Sequence, residues 1–202
     1  AIVNQLIFVY NLCIFGGVSG AGIFTAQYFG KGDQEGVRNT MRYKLWMVII
    51  ITTATIILLL AKGDTLIHMY LKGDGTAAQI ADTLRYGKEY LEIIVWGLPA
   101  FMMVQVYAST LRECGETLLP MKAGVVAVLV FFNFMLIYGM LFFPKLGVRG
   151  AALATVISRY VEALIVIGWT HRHRAKHVFA SGLYRTMRIP GTMVKRILIQ
   201  GT

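Results

Sequence analysis

Apolar residues recur along this chain in five long runs, at 1–29, 45–61, 90–110, 121–143 and 150–169, separated by short stretches that hold most of the charge. At about 1.5 Å of rise per helical residue, a run of roughly 20 residues crosses a hydrocarbon layer about 30 Å thick. The threonines in 45–61 can bond back to their own helix, so β-branching there does not argue for strand. The pattern predicts an all-α fold, a polytopic membrane helix bundle with five transmembrane helices visible in the sequence. Between the third and fourth runs, LRECGETLLP at 111–120 is a polar island, expected to be a loop at a membrane surface.

The runs differ in what they carry. The first is dotted with Asn4, Gln5, Asn11, Gly16, Gly17, Gly20 and Gly22, a composition suited to close packing against other helices. Before the second run, Arg42 and Lys44 fall at the membrane interface, and Trp46 fits an interfacial anchor. A short surface helix is expected over 64–71, followed by the aqueous start of the third span. That span contains Pro99, which removes one backbone hydrogen bond and bends the helix, making it the candidate hinge. Gln105 and Tyr107 lie deeper in the same run, and Asn133 sits near the middle of the fourth. These three either line a substrate cavity or hydrogen-bond between helices.

The fifth run begins with small residues and carries Arg159 and Glu162 near its centre, three positions apart and therefore on one helical face. A charge at the bilayer centre costs about 2.5 to 3.5 kcal/mol on the insertion scale, so this face must look into the bundle or a wet cavity. The pair is a candidate ion-coupling site, or else a neutralised strut between helices.

Composition sharpens the class. Of 202 residues, 56% are apolar and only 15% charged, against about 25% charged in soluble domains, and the mean hydropathy is +0.62. The net charge of +10 lies in the gaps rather than on one patterned face, so it reports membrane orientation and not nucleic-acid binding. Lys and Arg number 13 on the side of the first, third and fifth gaps and 6 on the other, which places the first side in the cytoplasm. Ala1 then starts outside, an arrangement that calls for one preceding span. Renewed apolar content near the end points to a further helix downstream. Residues 1–169 form the expected bundle, and 170–202, with seven basic residues and no acid, a cytoplasmic linker.

Within that linker, HRHRAKH at 171–177 interleaves three histidines with cations that would repel a metal ion. No metal site is expected, and the stretch is read as an electrostatic anchor at the lipid surface. Cys13 and Cys114 show no paired spacing and are expected to be free thiols. With no paired-Asp metal motif, HExxH, GxSxG or P-loop, no enzymatic activity is expected.

Taken in order, GAGIFTAQYFGKGDQEGVRNTMR, EYLEIIVWGLPAF, TLRECGETLLPM, LIYG and KLGVRGAALATVISRYVE resemble the multidrug and toxic compound extrusion (MATE) family across nearly the whole chain. The resemblance implies a twelve-helix transporter of two six-helix lobes in the cytoplasmic (plasma) membrane, of which this chain supplies helices two to six and the linker. It also implies an antiporter that exports drugs or organic cations by alternating access, in exchange for sodium ions or protons and with no other cofactor. Its partners would be a small-molecule substrate and membrane lipid.

Two departures stand out. The family's island often reads RGTGDTRTPM, whereas Glu113 here replaces the small residue after Arg112. Some members carry an Asn and, four positions on, a proton-coupling Asp in the fourth of these spans; this chain has Leu129 and Asn133, which speaks against proton coupling through that pair. Two other readings stay open: a flippase for lipid-linked oligosaccharides of the same superfamily, which would favour a strongly cationic cavity, and a non-transporting membrane scaffold.

Overall fold

A computed structural model of the chain describes residues 2–70, 77–136 and 147–200. In chain order the helices are α1 (Ile2–Gly30), α2 (Gln34–Tyr70), α3 (Ala77–Ile94), α4 (Leu98–Glu113), α5 (Leu118–Leu136), α6 (Gly147–Arg172) and α7 (Gly191–Gln200), with short 3₁₀ turns at Val95–Gly97 and Val178–Ala180. All regular structure among the described residues is helical. Gln5–Gly30, Gln34–Gly63, Leu84–Glu113 and Arg149–Arg172 are long and apolar enough to cross a membrane, and Leu118–Phe131 within α5 is a shorter apolar helix. These are the five runs read from the sequence.

Long α2 shows how such a helix is sorted into a buried and an exposed face. Val37, Met41, Leu45, Val48, Thr52 and Leu59 are buried, at spacings of one or two helical turns. On the other side Trp46, Ile50, Ile57 and Leu60 are exposed, an apolar stripe whose natural neighbour is lipid. Helix α1 packs along α2, α4 lies against α1, α2 and α6, and α5 packs chiefly on α6. At the centre the Tyr10 hydroxyl lies 2.9 Å from Thr52 Oγ1 and donates to the Leu98 carbonyl at 3.3 Å, tying α1, α2 and α4 together. Gly17 of α1 meets Met47 of α2 so closely that a β-carbon there would lie 2.6 Å from the Met47 side chain.

Two boundaries depart from the sequence reading. First, α2 does not stop after Ala61 to leave a separate surface helix over 64–71. It continues through Gly63 to Tyr70, because a single glycine packed against Leu91 costs helix stability without ending the helix; Leu71 lies outside the described residues. Second, the island is mostly helix. Helix α4 runs to Glu113 and α5 begins at Leu118, leaving 114–117 as the connection.

Both turns at this end of the bundle close in the same way. After α4, Gly115 N–H donates to the Arg112 carbonyl at 3.0 Å and Glu116 N–H to the Leu111 carbonyl at 2.8 Å, with Gly115 at φ +80°. After α1, Gly32 N–H reaches Phe29 and Asp33 N–H reaches Tyr28, both at 2.9 Å, with Gly32 at φ +73°. Each is a Schellman motif, which requires the left-handed conformation that glycine adopts without steric cost. Asp33 then caps α2 by accepting from Gly36 N–H at 2.8 Å. Gly115→Ala is expected to destabilise the protein by about 1 kcal/mol, while Gly30→Ala, in ordinary helix with open space beside it, is expected to be neutral or stabilising. Thermal unfolding of the two purified variants checks the contrast.

Candidate functional site

A 3₁₀ interruption in the third span borders a pocket between α1, α3, α4 and α6. Pro99 enters at the first turn of α4, immediately after the 3₁₀ turn, and the carbonyls around the break find partners. Leu98 N–H bonds to the Val95 carbonyl, Tyr160 donates to the Trp96 carbonyl at 3.0 Å, and Tyr10 donates to that of Leu98. Gly97 lets α6 approach, since a β-carbon there would lie 3.2 Å from Val156. The span is thus interrupted by a 3₁₀ turn just ahead of Pro99, and hydroxyls from α1 and α6 hold that interruption. Beside it lies a cavity of about 130 Å³ whose wall includes Asn11, Tyr90, Phe101, Thr155 and Arg159.

Arg159 and Glu162 form an ion pair, with Nη1 donating to Oε2 at 3.0 Å. The guanidinium also lies 5.2 Å from the centre of the Phe101 ring, a cation–π distance. Glu162 points the other way, towards Gly124 of α5, where a β-carbon would sit 3.8 Å from Oε1. The pair thus bridges the pocket and the α5–α6 seam, and Arg159 remains 41% exposed while Glu162 is 12% exposed.

The other candidate residues are not gathered there. Gln105 is half-buried on α4, one turn beyond Phe101 and outside the pocket wall. Tyr107 is fully buried, and its hydroxyl bonds to that of Tyr184 in the linker. The side chain of Asn133 lies outside the described residues, as does most of the LIYG motif.

A second polar centre lies where α2 meets the end of α4, and sequence reading passed over it. Lys44 of α2 is 0% exposed and forms an ion pair with Glu113 at the end of α4, with Ser109 Oγ 3.4 Å from its ammonium. Gly22 of α1 closes the third side, where a β-carbon would lie 2.2 Å from Glu113 Oε1. The clue was in the island: Glu113 stands where a small residue is usual, and a carboxylate there needs a cation. Around this centre the first, third and fifth gaps meet, as alternating spans require.

The linker is bound, not loose. Arg38, Arg42 and Trp46 recur every four residues along one face of α2, and each donates to linker carbonyls. Arg38 reaches Val178 and Phe179 at 3.2 and 3.3 Å, Arg42 reaches Gly182 and Leu183 at 2.8 and 3.0 Å, and the Trp46 indole reaches Met187 at 3.1 Å. Lys176 pairs with Glu116, whose carboxyl is held below its usual range by that hydrogen bond. The expected boundary at 169/170 falls inside α6, which continues to Arg172. Cys13 and Cys114 are both free, and burial pushes the Cys114 thiol up to about 12.

The histidines serve packing in this structure. His173 and His177 lie against Trp169, with ring centres 4.3 and 5.3 Å away, and His171 stacks on Tyr184. His177 is buried with Nε2 unpartnered, and burial and then the neighbouring Lys176 charge push its pKa below the ordinary 6.5. The unfolded chain thus binds the proton more readily, so His177 costs stability as pH falls below about 6.5. Between pH 7.5 and 5.5 the melting temperature is expected to drop, and His177→Phe, which removes the orphaned nitrogen, to flatten that drop. An unchanged pH profile in the variant contradicts this.

Comparisons with known proteins converge. The MatE family model matches residues 1–139. A Thermotoga maritima protein named probable multidrug resistance protein NorM is 32% identical over 165 residues, covering 81% of this chain and 34% of the relative. A Rhizobium meliloti protein of the same name is 29% identical, covering 84% of this chain and 36% of the relative. Yersinia pestis multidrug resistance protein MdtK is 28% identical over 75% of this chain and 32% of the relative. The chain thus spans about a third of the length of these curated relatives. A solved structure described as the inward-facing conformation of a multidrug resistance MATE family transporter of the MOP superfamily superposes with a TM-score of 0.80 at 22% identity, covering 98% of this chain and 43% of that one.

Proposed function

From the premise that this chain belongs to the MatE family, a family of membrane transporters and not of enzymes, we propose that the whole protein exports drugs or organic cations by ion-coupled antiport. The chain is an integral membrane protein of the cell membrane. The observation that carries the proposal is the intramembrane Arg159–Glu162 pair set beside an aromatic-lined pocket in a bundle of this family. Ionisable groups inside a membrane are costly and mark ion or substrate paths.

The pocket's size assigns it a limited role. Sites that enclose drug-sized molecules measure roughly 300 to 1,000 Å³, so a 130 Å³ cavity admits part of a substrate or a hydrated ion. The substrate cavity lies against this lobe, with the pocket as one recess in its wall. Opening alternately to the two sides, the protein would use the ion gradient, about 2.3 kcal/mol per charge per 100 mV of potential, to drive export. The coupling ion is sodium or a proton.

Among the described residues Arg159 is the basic group nearest mid-span, and Glu162 neutralises it. That argues against a cavity for a pyrophosphate-linked lipid. Binding by the purified full-length protein tests this: micromolar affinity for tetraphenylphosphonium is expected, with no comparable affinity for a polyprenyl pyrophosphate. The reverse order favours a flippase, and binding of neither favours a scaffold.

A further inference from the structure

The linker reaches the depth of the lipid headgroups. The exposed stripe of α2 runs from Leu60 through Ile57 and Ile50 to Trp46, and Trp46, at its cytoplasmic end, is 45% exposed. Tryptophan settles where acyl chains give way to headgroups. Its indole N–H holds the Met187 carbonyl at 3.1 Å, so this part of the linker is fastened at that level. Arg185 and Arg188 flank the fastened residue, both exposed, and neither meets a carboxylate among the described residues.

Helix α7 extends the same surface. Met193 and Ile197 are buried in a cluster with Ala21 and Phe24 of α1, while Lys195 and Arg196 are exposed. No acidic residue occurs anywhere in 170–202. Three nearby cations have partners in the protein: Lys176 is taken by Glu116, and Arg38 and Arg42 by linker carbonyls. Arg185, Arg188, Lys195 and Arg196 are not so engaged.

We infer that Arg185, Arg188, Lys195 and Arg196 form a binding surface for anionic phospholipid headgroups of the cytoplasmic leaflet. Guanidinium forks match phosphate oxygens in pairs, and clustered cations next to a membrane span attract anionic lipid. The surface anchors the linker to the bilayer, whichever substrate the protein carries.

Native mass spectrometry of the full-length protein, titrated with phosphatidylglycerol or phosphatidylcholine of identical acyl chains, tests this. Wild type is expected to retain phosphatidylglycerol in preference, and R185Q/R188Q to bind it roughly 10- to 30-fold more weakly, with phosphatidylcholine unchanged. R185K/R188K is expected to restore most of the binding, and R149Q, at the opposite end of the bundle, to leave it intact. Equal affinity of wild type for the two lipids overturns the inference, as does wild-type affinity in R185Q/R188Q. Retention of RNA or soluble polyphosphate as tight as that of phosphatidylglycerol also overturns it.

Discussion

Glu113→Ala is expected to destabilise the protein by about 3 to 5 kcal/mol, the range for removing one partner of a buried ion pair. The reason lies in what stays behind. Lys44 is fully buried, and without Glu113 its ammonium keeps only the 3.4 Å contact with Ser109. Lys44→Met should cost less, because Glu113 is 17% exposed and can turn to water once its partner is gone. The double variant Lys44→Met/Glu113→Ala should recover most of the loss, since it leaves no charge stranded. Unfolding of the four proteins in detergent gives the coupling directly. Two single effects that simply add would show that the pair does not act as a unit.

Glu162→Gln is expected to reduce gradient-driven transport by about 100-fold, within the range attributed to a positioned proton-transferring group, while leaving the melting temperature near that of wild type. The carboxylate is held by Arg159 at 3.0 Å and sits against Gly124 of α5. Glutamine keeps the side chain's shape and its hydrogen-bonding oxygen but cannot ionise, so it separates a structural strut from an ion-handling group. Transport at the wild-type rate in Glu162→Gln assigns the pair to helix packing alone. Arg159→Gln is expected to impair both readouts, because it leaves Glu162 12% exposed and without its cation.

How far the fold could be read from the residues depended on the range of the interaction. Continuous apolar runs located four helices long enough to cross a membrane and a fifth, shorter apolar helix among the described residues, because burial in lipid needs little beyond length and the absence of charge. Alternation of the five spans put three gaps on one side, and those gaps meet in the structure through Arg42 with Leu183 and Lys176 with Glu116. Pro99 marked the 3₁₀ interruption that precedes α4. Glycine was a weaker guide: Gly63 did not end α2, whereas Gly115 did close α4 into a turn much tighter than the ten-residue island suggested.

Within the candidate site, Arg159 and Glu162 were legible because their spacing of three is set by the helix itself. Lys44 and Glu113 lie 69 positions apart, and Tyr107 and Tyr184 lie 77 apart. No local pattern joins such residues. Glu113 was noticed as an unusual acid in its motif, but only the packing of α2 against α4 supplies the lysine that explains it. Tyr107 looked like a cavity residue because it is polar within a span; its hydroxyl instead meets the linker, which folds back along α2.

The central claim, export of organic cations against an ion gradient, is tested most directly by reconstituting the full-length protein in liposomes and following ethidium movement after sodium or proton gradients are imposed separately. Transport that follows one of these gradients, vanishes when it is collapsed and is lost in Glu162→Gln is the predicted result. Ethidium flux indifferent to both gradients, or none at all from a protein that is folded and correctly inserted, would contradict it.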